Sequence, residues 1–389
     1  VVSATLQAEV PNDLFANVAL RLAFHLADQS EYYRIVGKPS DAKIKEDIEH
    51  PPPPGRGLLR ATPPLDFQAA LPVEGNTDEE QLSNLARLAA DMQAAWRGPR
   101  PRPVEVLPLL ITVPEVAAEV QRGTDGSSPS CFLGTDYENL NPVHLNLLED
   151  GPSNLIAAVS PQSGKTTLLR ACVLGLAERC RLDQLQLVLM DHHSRTMTPF
   201  RAIPHRHAYV GSAAGLEPTF AQLTKEIQRR QAAVEKAYEK TPDSFDMDVL
   251  LNSWPHILVV IDDYDRFSDR ENEARRTLAE LLASGGNLGV GFILAGNVSE
   301  LPRDYDDPFI QAVRKQGNGV LLCGTEGIEQ FNNARRPQGQ PSAGLPPGRG
   351  FLIRRGQVRL LQTAAYWREG ENPDEALAKR IGKLKDRHR

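Results

Sequence analysis

The segment from Asn154 to Thr167, NLIAAVSPQSGKTT, constrains the fold of this chain more than any other stretch. Residues 155–159 form a short apolar run with β-branched side chains, which is typical of a buried strand. A polar loop ending in Gly-Lys-Thr comes next, and the apolar residues after it recur at the spacing of one helix face. The segment therefore predicts a strand, a tight loop and a helix, with the amides of the loop directed at an anion.

This loop has the residue types that bind the triphosphate of a nucleotide. The Lys165 ammonium can reach β- and γ-phosphates, and the Thr166 hydroxyl can ligate Mg²⁺. The common pattern opens with glycine six positions before the lysine, where this chain has Val159. A chance Gly-Lys-Thr in a surface loop is the alternative, but it does not account for the flanking strand and helix. The predicted phosphate-binding residues are Ser160, Pro161, Gln162, Ser163, Gly164, Lys165, Thr166 and Thr167.

A second apolar strand is predicted to complete the site. Residues 256–261, HILVVI, give the strongest strand signal in the chain and are followed by Asp262 and Asp263. In a nucleotide site the first such acid holds Mg²⁺ through its water shell, and the second positions the attacking water. An ordinary solvated strand end is the alternative, and the phosphate loop in the same chain favours the site. Asn297, after the next predicted strand, either senses the γ-phosphate or caps the strand, and the sequence leaves both open.

The predicted strands alternate with helices, which indicates an α/β fold with a mostly parallel sheet covered by helices on both faces. The phosphate loop then lies at the carboxyl end of a strand, where ligands bind in such sheets. Hydrophobic residues make up 41% of the chain and charged residues 24%, as in ordinary globular proteins. The net charge of −6 argues against a surface that tracks nucleic acid, although a local basic groove is compatible with it.

A five-residue motif, PPGRG, occurs twice, at residues 53–57 and 346–350. A glutamine segment comes after each copy at nearly the same distance, at residues 67–70 and 361–364. Two matched features in the same order predict a tandem of whole domains, because the period is too long for a solenoid. Two unrelated proline-rich turns are the alternative. The predicted organisation is the tail of one module at 1–75, a helical linker at 76–103, a complete module at 104–367 and a basic tail at 368–389.

The remaining segments give local predictions. A long helix is expected across 220–238, with Arg229 and Arg230 on its polar side. The basic residues at 368–389 predict a frayed, solvated end, and contact with nucleic acid or anionic lipid is the alternative. A buried strand is predicted at 185–190, ending at Asp191. The histidines near it are expected to be exposed or in loops, because no Cys or Glu completes a zinc spacing; they are His192, His193, His205 and His207. Other predictions are a strand at 14–26, a helix at 76–98, a loop at 122–130, an edge strand at 143–147 and a hairpin from 351–353 and 358–361.

Several of these segments together resemble the FtsK/SpoIIIE-type ATPases. They are SPQSGKTTLLR, the strand ending at Asp191, ILVVIDDYDRF, GVGFILAGN and LPPGRGFL. The likeness is greatest to the later ATPase modules of EccC/EssC, the motor proteins of type VII secretion. The opening segment, from PPPPGRGLLR to FQAALPVEG, is similar to the end of the middle module and its linker. The resemblance covers nearly the whole chain, apart from residues 1–13 and 368–389.

The resemblance implies a RecA-like fold that binds ATP and Mg²⁺ and works on secreted helical proteins at the cytoplasmic face of the cell membrane. The implied partners are other ATPase modules and an inner-membrane secretion complex, reached through an N-terminal anchor that this sequence lacks. Carried over by position, the implied catalytic residues are Lys165, Asp262 and Asp263. The implied metal ligands are Thr166 and Asp262.

Two residues depart from the pattern of an active motor of this family. Asp263 stands where glutamate is usual, and its carboxylate is one methylene shorter. Misplacement on this scale can cost about a hundredfold in rate. Together with Val159, it predicts a module that binds ATP as a structural or regulatory ligand and hydrolyses it slowly or not at all. An arginine from a neighbouring module can complete the site; the candidates are Arg275, Arg276, Arg303, Arg314, Arg335 and Arg336.

Two other functions stay open at this point. One is a DNA translocase of the FtsK class, and the other is a non-hydrolysing scaffold whose nucleotide site has become a pocket for a partner peptide. The acidic net charge and the lack of a C-terminal winged-helix segment count against DNA.

Overall fold

The computed structural model describes residues 3–5, 9–38, 50, 52–75, 77–98, 107–112, 129–191, 193–240, 242, 245–267 and 272–388. The chain divides into two compact units, residues 1–102 and 103–389. Within the described part, no helix combines the length and the apolar character that crossing a membrane requires.

The first unit contains a small antiparallel sheet. The helices and strands described in this unit are α1 (Asn12–Asn17), β1 (Leu22–Ala23), α2 (Gln29–Val36), β2 (Arg56–Leu59), β3 (Leu65–Gln68) and α3 (Asp78–Ala95). Strand β2 lies between β1 and β3. The helix predicted at 76–98 is present as α3, and the Thr77 hydroxyl caps its first turn by accepting a bond from the Glu80 amide.

The strand predicted at 14–26 is wrong for most of its length. Helix α1 extends to Asn17, and only Leu22 and Ala23 pair with β2. The Arg21 guanidinium donates to the carbonyl oxygens of Phe15 at 2.8 Å and Val18 at 3.1 Å. These bonds satisfy carbonyl groups at the C-terminal end of α1 and stabilise a helical turn that the apolar run does not indicate.

The second unit is built on one mixed sheet. Its strands are β4 (Ile111–Thr112), β5 (Ser130–Asp136), β6 (Pro142–Asn146), β7 (Ser153–Ala158), β8 (Leu185–Met190), β9 (Arg206–Val210), β10 (His256–Ile261), β11 (Val290–Asn297), β12 (Asn318–Leu322), β13 (Arg349–Arg354) and β14 (Gln357–Ala365). Its helices are α4 (Lys165–Arg179), α5 (Leu216–Lys240), α6 (Met247–Asn252), α7 (Asn272–Gly285), α8 (Pro308–Gln316) and α9 (Pro373–Arg387). The strand order is β6-β5-β14-β13-β12-β7-β11-β10-β8-β9, with β4 beside β14.

The strands from β12 to β9 run parallel, and the pairs from β6 to β12 are antiparallel. Helices α4 and α9 contribute to the core on one face, and α5, α7 and α8 contribute to the core on the other. Every residue of β7 is buried, as expected for a parallel strand between two helical layers. The predicted α/β fold, the edge strand β6 and the β13–β14 hairpin are confirmed.

The C-terminal segment differs from the prediction of a frayed end. Residues 373–387 form α9, and the Asn372 side chain accepts bonds from two amides of its first turn. Leu377, Ile381 and Leu384 are buried in the same core as α4. They recur at the spacing of one helix face, so the segment packs despite its basic composition.

Each PPGRG copy begins an antiparallel hairpin, and the two hairpins start with the same pair of residue types. Arg56 lies opposite Gln68 in the β2–β3 pair, and Arg349 lies opposite Gln362 in the β13–β14 pair. The repeat in the sequence is therefore also a repeat of backbone geometry. Two kinds of hydrogen bond also match between the hairpins. The Ala69 amide donates to Gly55 O, and the Thr363 amide donates to Gly348 O, both at 2.8 Å. Gln68 Nε2 donates to Pro54 O at 3.0 Å, and Gln362 Nε2 donates to Pro347 O at 3.3 Å.

Two local predictions need correction, and a third is confirmed only in part. Arg230 does not lie on a polar side of α5, because it is only 1% exposed and pairs with Glu226. His205 lies in a turn before β9, as the predicted loop requires, but it is buried, and its Nε2 lies 2.9 Å from the Cys180 carbonyl oxygen. Of the loop predicted at 122–130, residues 122–128 lie outside the described residues, and Ser130 already belongs to β5.

Candidate nucleotide-binding site

The predicted phosphate loop connects β7 to α4. Gly164 precedes the first residue of α4 with φ +94°, a left-handed conformation that glycine adopts without a steric penalty. The Ser163 side chain, 2% exposed, donates to the Ser160 carbonyl oxygen and closes the turn. Ser160, Pro161 and Gln162 are exposed, so the loop is open to a ligand. The loop and the N-terminus of a 15-residue helix together form the arrangement that binds anions.

Val159, which stands in place of the usual glycine, has a structural role. Its side chain packs against the core formed with α5, α7 and α8. Its amide donates to the Leu322 carbonyl oxygen at 3.1 Å, which continues the pairing of β7 with β12. The loop therefore begins one residue later than the common pattern indicates.

The β13–β14 hairpin supports this loop from one side. The Gly348 amide donates to the Ser163 carbonyl oxygen at 2.8 Å. Buried Gln362 holds the turn, since its Nε2 donates to Pro347 O and its Oε1 accepts from Arg349 Nε at 3.2 Å. The sequence singled out PPGRG as a repeat, but it gave no signal that this motif contacts the phosphate loop.

We expect Gly348→Ala to weaken ATP binding about tenfold, as the loss of one fixed hydrogen bond does. Gly348 has φ +75°, and a Cβ there would lie 2.8 Å from Gln362 Nε2 and 2.9 Å from Thr363 Oγ1. The turn must then shift and withdraw the amide that fixes Ser163. Fluorescent-ATP titration measures the affinity. Gly344→Ala is the control, because Gly344 has φ +89° and nothing within 4 Å of its Cβ position; equal affinity of the two variants contradicts the argument.

Two acids from β10 meet the lysine and threonine of the phosphate loop. Only β11 separates β7 from β10, so their carboxyl ends are close. Lys165 Nζ lies 2.7 Å from Asp263 Oδ1, and Thr166 Oγ1 lies 3.2 Å from Asp262 Oδ2. Asp263 has φ +51°, a conformation uncommon for a residue with a side chain and concentrated at functional sites. The structure thus brings the four predicted residues together.

The electrostatics of the two acids differ. Burial is the largest influence on Asp262 and raises the pKa of its carboxyl group, against a hydrogen bond from Thr196 that lowers it. Burial also acts to raise the pKa of Asp263, but the bonds from Lys165 and Ser194 outweigh it and the pKa is lowered. A cation beside Asp262 stabilises its ionised form. At nucleotide sites Mg²⁺ takes a threonine hydroxyl and a carboxylate from the protein, directly or through water, and phosphates and further waters complete its shell.

The loop after β8 supplies two hydroxyl groups to these acids. Ser194 Oγ donates to Asp263 Oδ2, and Thr196 Oγ1 donates to Asp262 Oδ2. Asp191, at the end of β8, holds this loop by accepting from the Met197 amide at 2.8 Å. Sequence reasoning missed Ser194 and Thr196, because neither residue stands at a spacing that any nucleotide motif requires.

Asn297 lies at the end of β11, between the strands that carry the loop and the acids. Its amide donates to Asp265 Oδ2 at 3.0 Å, so its backbone fixes the turn after β10. This contact supports a role at the strand end and leaves the proposed sensing of γ-phosphate as a prediction.

The histidines do not form a metal site within the described part of the second unit. His205 is buried against Cys180, His207 is exposed and His193 contacts the Phe267 ring. His192 lies outside the described residues. No group of three or more His, Cys, Asp or Glu side chains suited to a metal ion occurs among the described residues.

Two of the candidate arginines are already engaged within this chain. Arg275 is buried, and its Nε lies 3.3 Å from Asp307 Oδ2. Arg314 pairs with Asp304 at 2.5 Å. Arg275 therefore supports the fold around α7 and α8 and is not free to reach the nucleotide of a neighbour. The arginines that stay candidates are Arg276, Arg303, Arg335 and Arg336.

The sequence comparisons agree with this geometry. Residues 114–249 match the FtsK/SpoIIIE family. The ESX secretion system protein EccC of Thermomonospora curvata is 29% identical over 320 residues, which is 80% of this chain and 22% of that protein. The chain thus spans less than a quarter of the length of that relative.

Solved structures give the same result. The cytoplasmic domain of the type VII secretion ATPase EccC from T. curvata matches with a TM-score of 0.57 and 25% identity, over 84% of this chain and 36% of that one. T. curvata EccC (ATPases 2 and 3) in complex with a signal sequence peptide matches with a TM-score of 0.55 and 24% identity, over 85% of this chain and 57% of that one. The chain therefore contains a segment that matches the FtsK/SpoIIIE family, and its α/β P-loop fold is similar to that of the EccC ATPase domains.

Proposed function

We propose that the second unit is an ATP- and Mg²⁺-binding module of a protein-translocating ATPase of type VII secretion. The observation that carries the proposal is the meeting of Lys165 and Thr166 with Asp263 and Asp262 beside an open phosphate loop. In this proposal the loop amides and Lys165 bind the phosphates. Thr166 and Asp262 would hold the Mg²⁺, which would neutralise charge on the nucleotide phosphates.

The proposed module hydrolyses ATP weakly. Both carboxylate oxygens of Asp263 are occupied, one by the Lys165 ammonium and the other by the Ser194 hydroxyl. These two bonds fix the direction of the carboxylate, and a carboxylate that positions a water must lie within hydrogen-bond reach of it. When ATP draws Lys165 away, Asp263 still holds Ser194 and is one methylene shorter than glutamate.

We expect Asp263→Glu to raise steady-state ATP turnover about tenfold to a hundredfold, because the longer carboxylate reaches further toward the γ-phosphate. Phosphate release from the purified chain measures the rate. The double variant Lys165→Ala/Asp263→Glu is the control, and its rate must fall to background if the new turnover occurs at this site. A wild-type rate equal to that of an active homologous motor contradicts the proposed weak hydrolysis.

We further propose that residues 1–75, within the first unit, are the tail of a preceding ATPase-like module. Residues 76–103 link this tail to the module at 104–367, and the residues after 367 complete that module as α9. The matched hairpins support this, because the second copy shows what such a hairpin does: its glycine amide holds a phosphate loop. The proposed partners are accordingly other ATPase modules of the same chain or complex.

The proposed substrate is a secreted helical protein, and the proposed location is the cytoplasmic face of the cell membrane, at a secretion complex. The support is the similarity to EccC, whose ATPases 2 and 3 have been solved in complex with a signal sequence peptide. A DNA translocase is the second candidate. Salt-dependent DNA binding separates the two, because a protein that neutralises many phosphates loses affinity steeply as salt rises.

A further inference from the structure

Arg170, on the phosphate-loop helix α4, contacts the loop after β8. Its Nε donates to the Thr196 carbonyl oxygen at 3.0 Å, and its Nη2 donates to the same oxygen. The side chain is 17% exposed. Two donors of one guanidinium on one carbonyl fix the position of Thr196 in the loop after β8.

Thr196 in turn contacts Asp262, the carboxylate proposed to hold Mg²⁺. Its hydroxyl donates to Asp262 Oδ2, the same oxygen that Thr166 Oγ1 approaches at 3.2 Å. The other oxygen, Oδ1, accepts from the Asp263 amide at 3.0 Å. The Thr196 hydroxyl is therefore one of the groups that orient the Asp262 carboxylate, and the place of Thr196 depends on Arg170 together with the bond from the Met197 amide to Asp191.

The far side of the Arg170 guanidinium contacts the C-terminal elements. Its Nη1 lies 3.2 Å from the Tyr366 hydroxyl, just after β14, and 3.4 Å from Asp374 Oδ1 in α9. Asp374 is 82% exposed, so this ion pair is weak and does not by itself account for the placement of Arg170.

We infer that Arg170 is a positioning residue for the metal site, which aligns Asp262 for Mg²⁺ through the backbone and hydroxyl of Thr196. The inference rests on the proposed binding of ATP–Mg²⁺ at this site. The competing explanation is that Arg170 only stabilises the packing of α4 against α9. A second contact between the same two helices separates the explanations. In this contact Glu178 of α4 accepts from Arg380 Nε at 2.7 Å, and Glu178 has no part in the loop after β8.

The test compares Arg170→Ala with Glu178→Ala in the full chain, by titration with ATP in the presence of Mg²⁺ and again in EDTA. We expect Arg170→Ala to weaken binding about tenfold with Mg²⁺ and to leave binding in EDTA unchanged, because one fixed hydrogen bond to the metal carboxylate is lost. Glu178→Ala leaves both affinities unchanged. Arg170→Lys keeps one donor for the Thr196 carbonyl and restores part of the loss.

A second variant keeps the test valid if Arg170→Ala does not fold. Thr196→Val removes the hydroxyl at nearly constant volume and is expected to show the same loss only with Mg²⁺. The double variant Arg170→Ala/Thr196→Val should lose no more than either single variant, because both act through one carboxylate. Equal losses with and without Mg²⁺, or equal losses in Arg170→Ala and Glu178→Ala, overturn the inference. If wild type binds no ATP at all, the proposed function fails instead.

Discussion

Replacing Lys165 with alanine is expected to weaken ATP–Mg²⁺ binding about a hundredfold. An ammonium that contacts two phosphates contributes about 3 kcal/mol, since each hydrogen bond to a charged group contributes about 1.5 kcal/mol or more. Its Nζ already lies at the site, 2.7 Å from Asp263 Oδ1, and it needs only to exchange one anion for another. Titration calorimetry on the purified chain measures the affinity.

The matched control for this variant is Lys225→Ala. Lys225 is exposed on α5, so its replacement removes the same charge far from the phosphate loop. It should leave the affinity for ATP unchanged. If Lys165→Ala and Lys225→Ala bind ATP equally well, the nucleotide does not lie on this loop.

Glu226→Gln is expected to destabilise the second unit by about 3 kcal/mol. Arg230 is 1% exposed and has one ionic partner in the described structure, Glu226 Oε1 at 2.9 Å. Its other bonds go to the carbonyl oxygens of Leu288 and Pro255. Glu226 is 29% exposed, but Arg230 is not, and removing the partner of a buried guanidinium leaves an uncompensated charge that costs about 3 kcal/mol. Denaturant unfolding of wild type and variant gives the difference in the free energy of unfolding.

The pH dependence of that difference has a definite sign. Hydrogen bonds from Arg229 and then Arg230 outweigh burial and lower the pKa of Glu226 to about 2, from 4.5. A lowered pKa in the folded state stabilises the protein above the unfolded pKa, and the stabilisation is lost as pH falls. Wild type should therefore exceed Glu226→Gln by a constant amount above about pH 5, and the difference should shrink toward pH 2. The control is Glu235→Gln, because Glu235 is exposed on the same helix. If Glu235→Gln destabilises the unit as much as Glu226→Gln does, the burial of Arg230 is not the cause.

The elements that the sequence predicts best are the buried parallel strands. The predicted bounds of β8 and β10 are those of the structure, because a strand covered on both faces is a continuous apolar run. The phosphate loop is equally local, so Lys165 and Thr166 are recognised from neighbours in the chain. Asp262 and Asp263 follow from one further step, the rule that parallel strands end at the same edge of the sheet.

The parts that sequence reasoning missed depend on contacts between distant segments. Ser194 and Thr196 are ordinary loop residues until the ends of β8 and β10 are known to be neighbours. The contact of Gly348 with Ser163 requires the order β13-β12-β7, which no local pattern gives. For α9 the signal was present in Leu377, Ile381 and Leu384, but the basic composition of the segment outweighed it in the prediction.

The central claim is that one triphosphate binds between the phosphate loop and the acids after β10. Isothermal titration of the purified chain with ATP in the presence of Mg²⁺ tests it most directly. We expect saturable binding of one ATP per chain, weakened by EDTA and weakened about a hundredfold in Lys165→Ala. The absence of saturable binding in wild type, or binding that Lys165→Ala leaves intact, contradicts it.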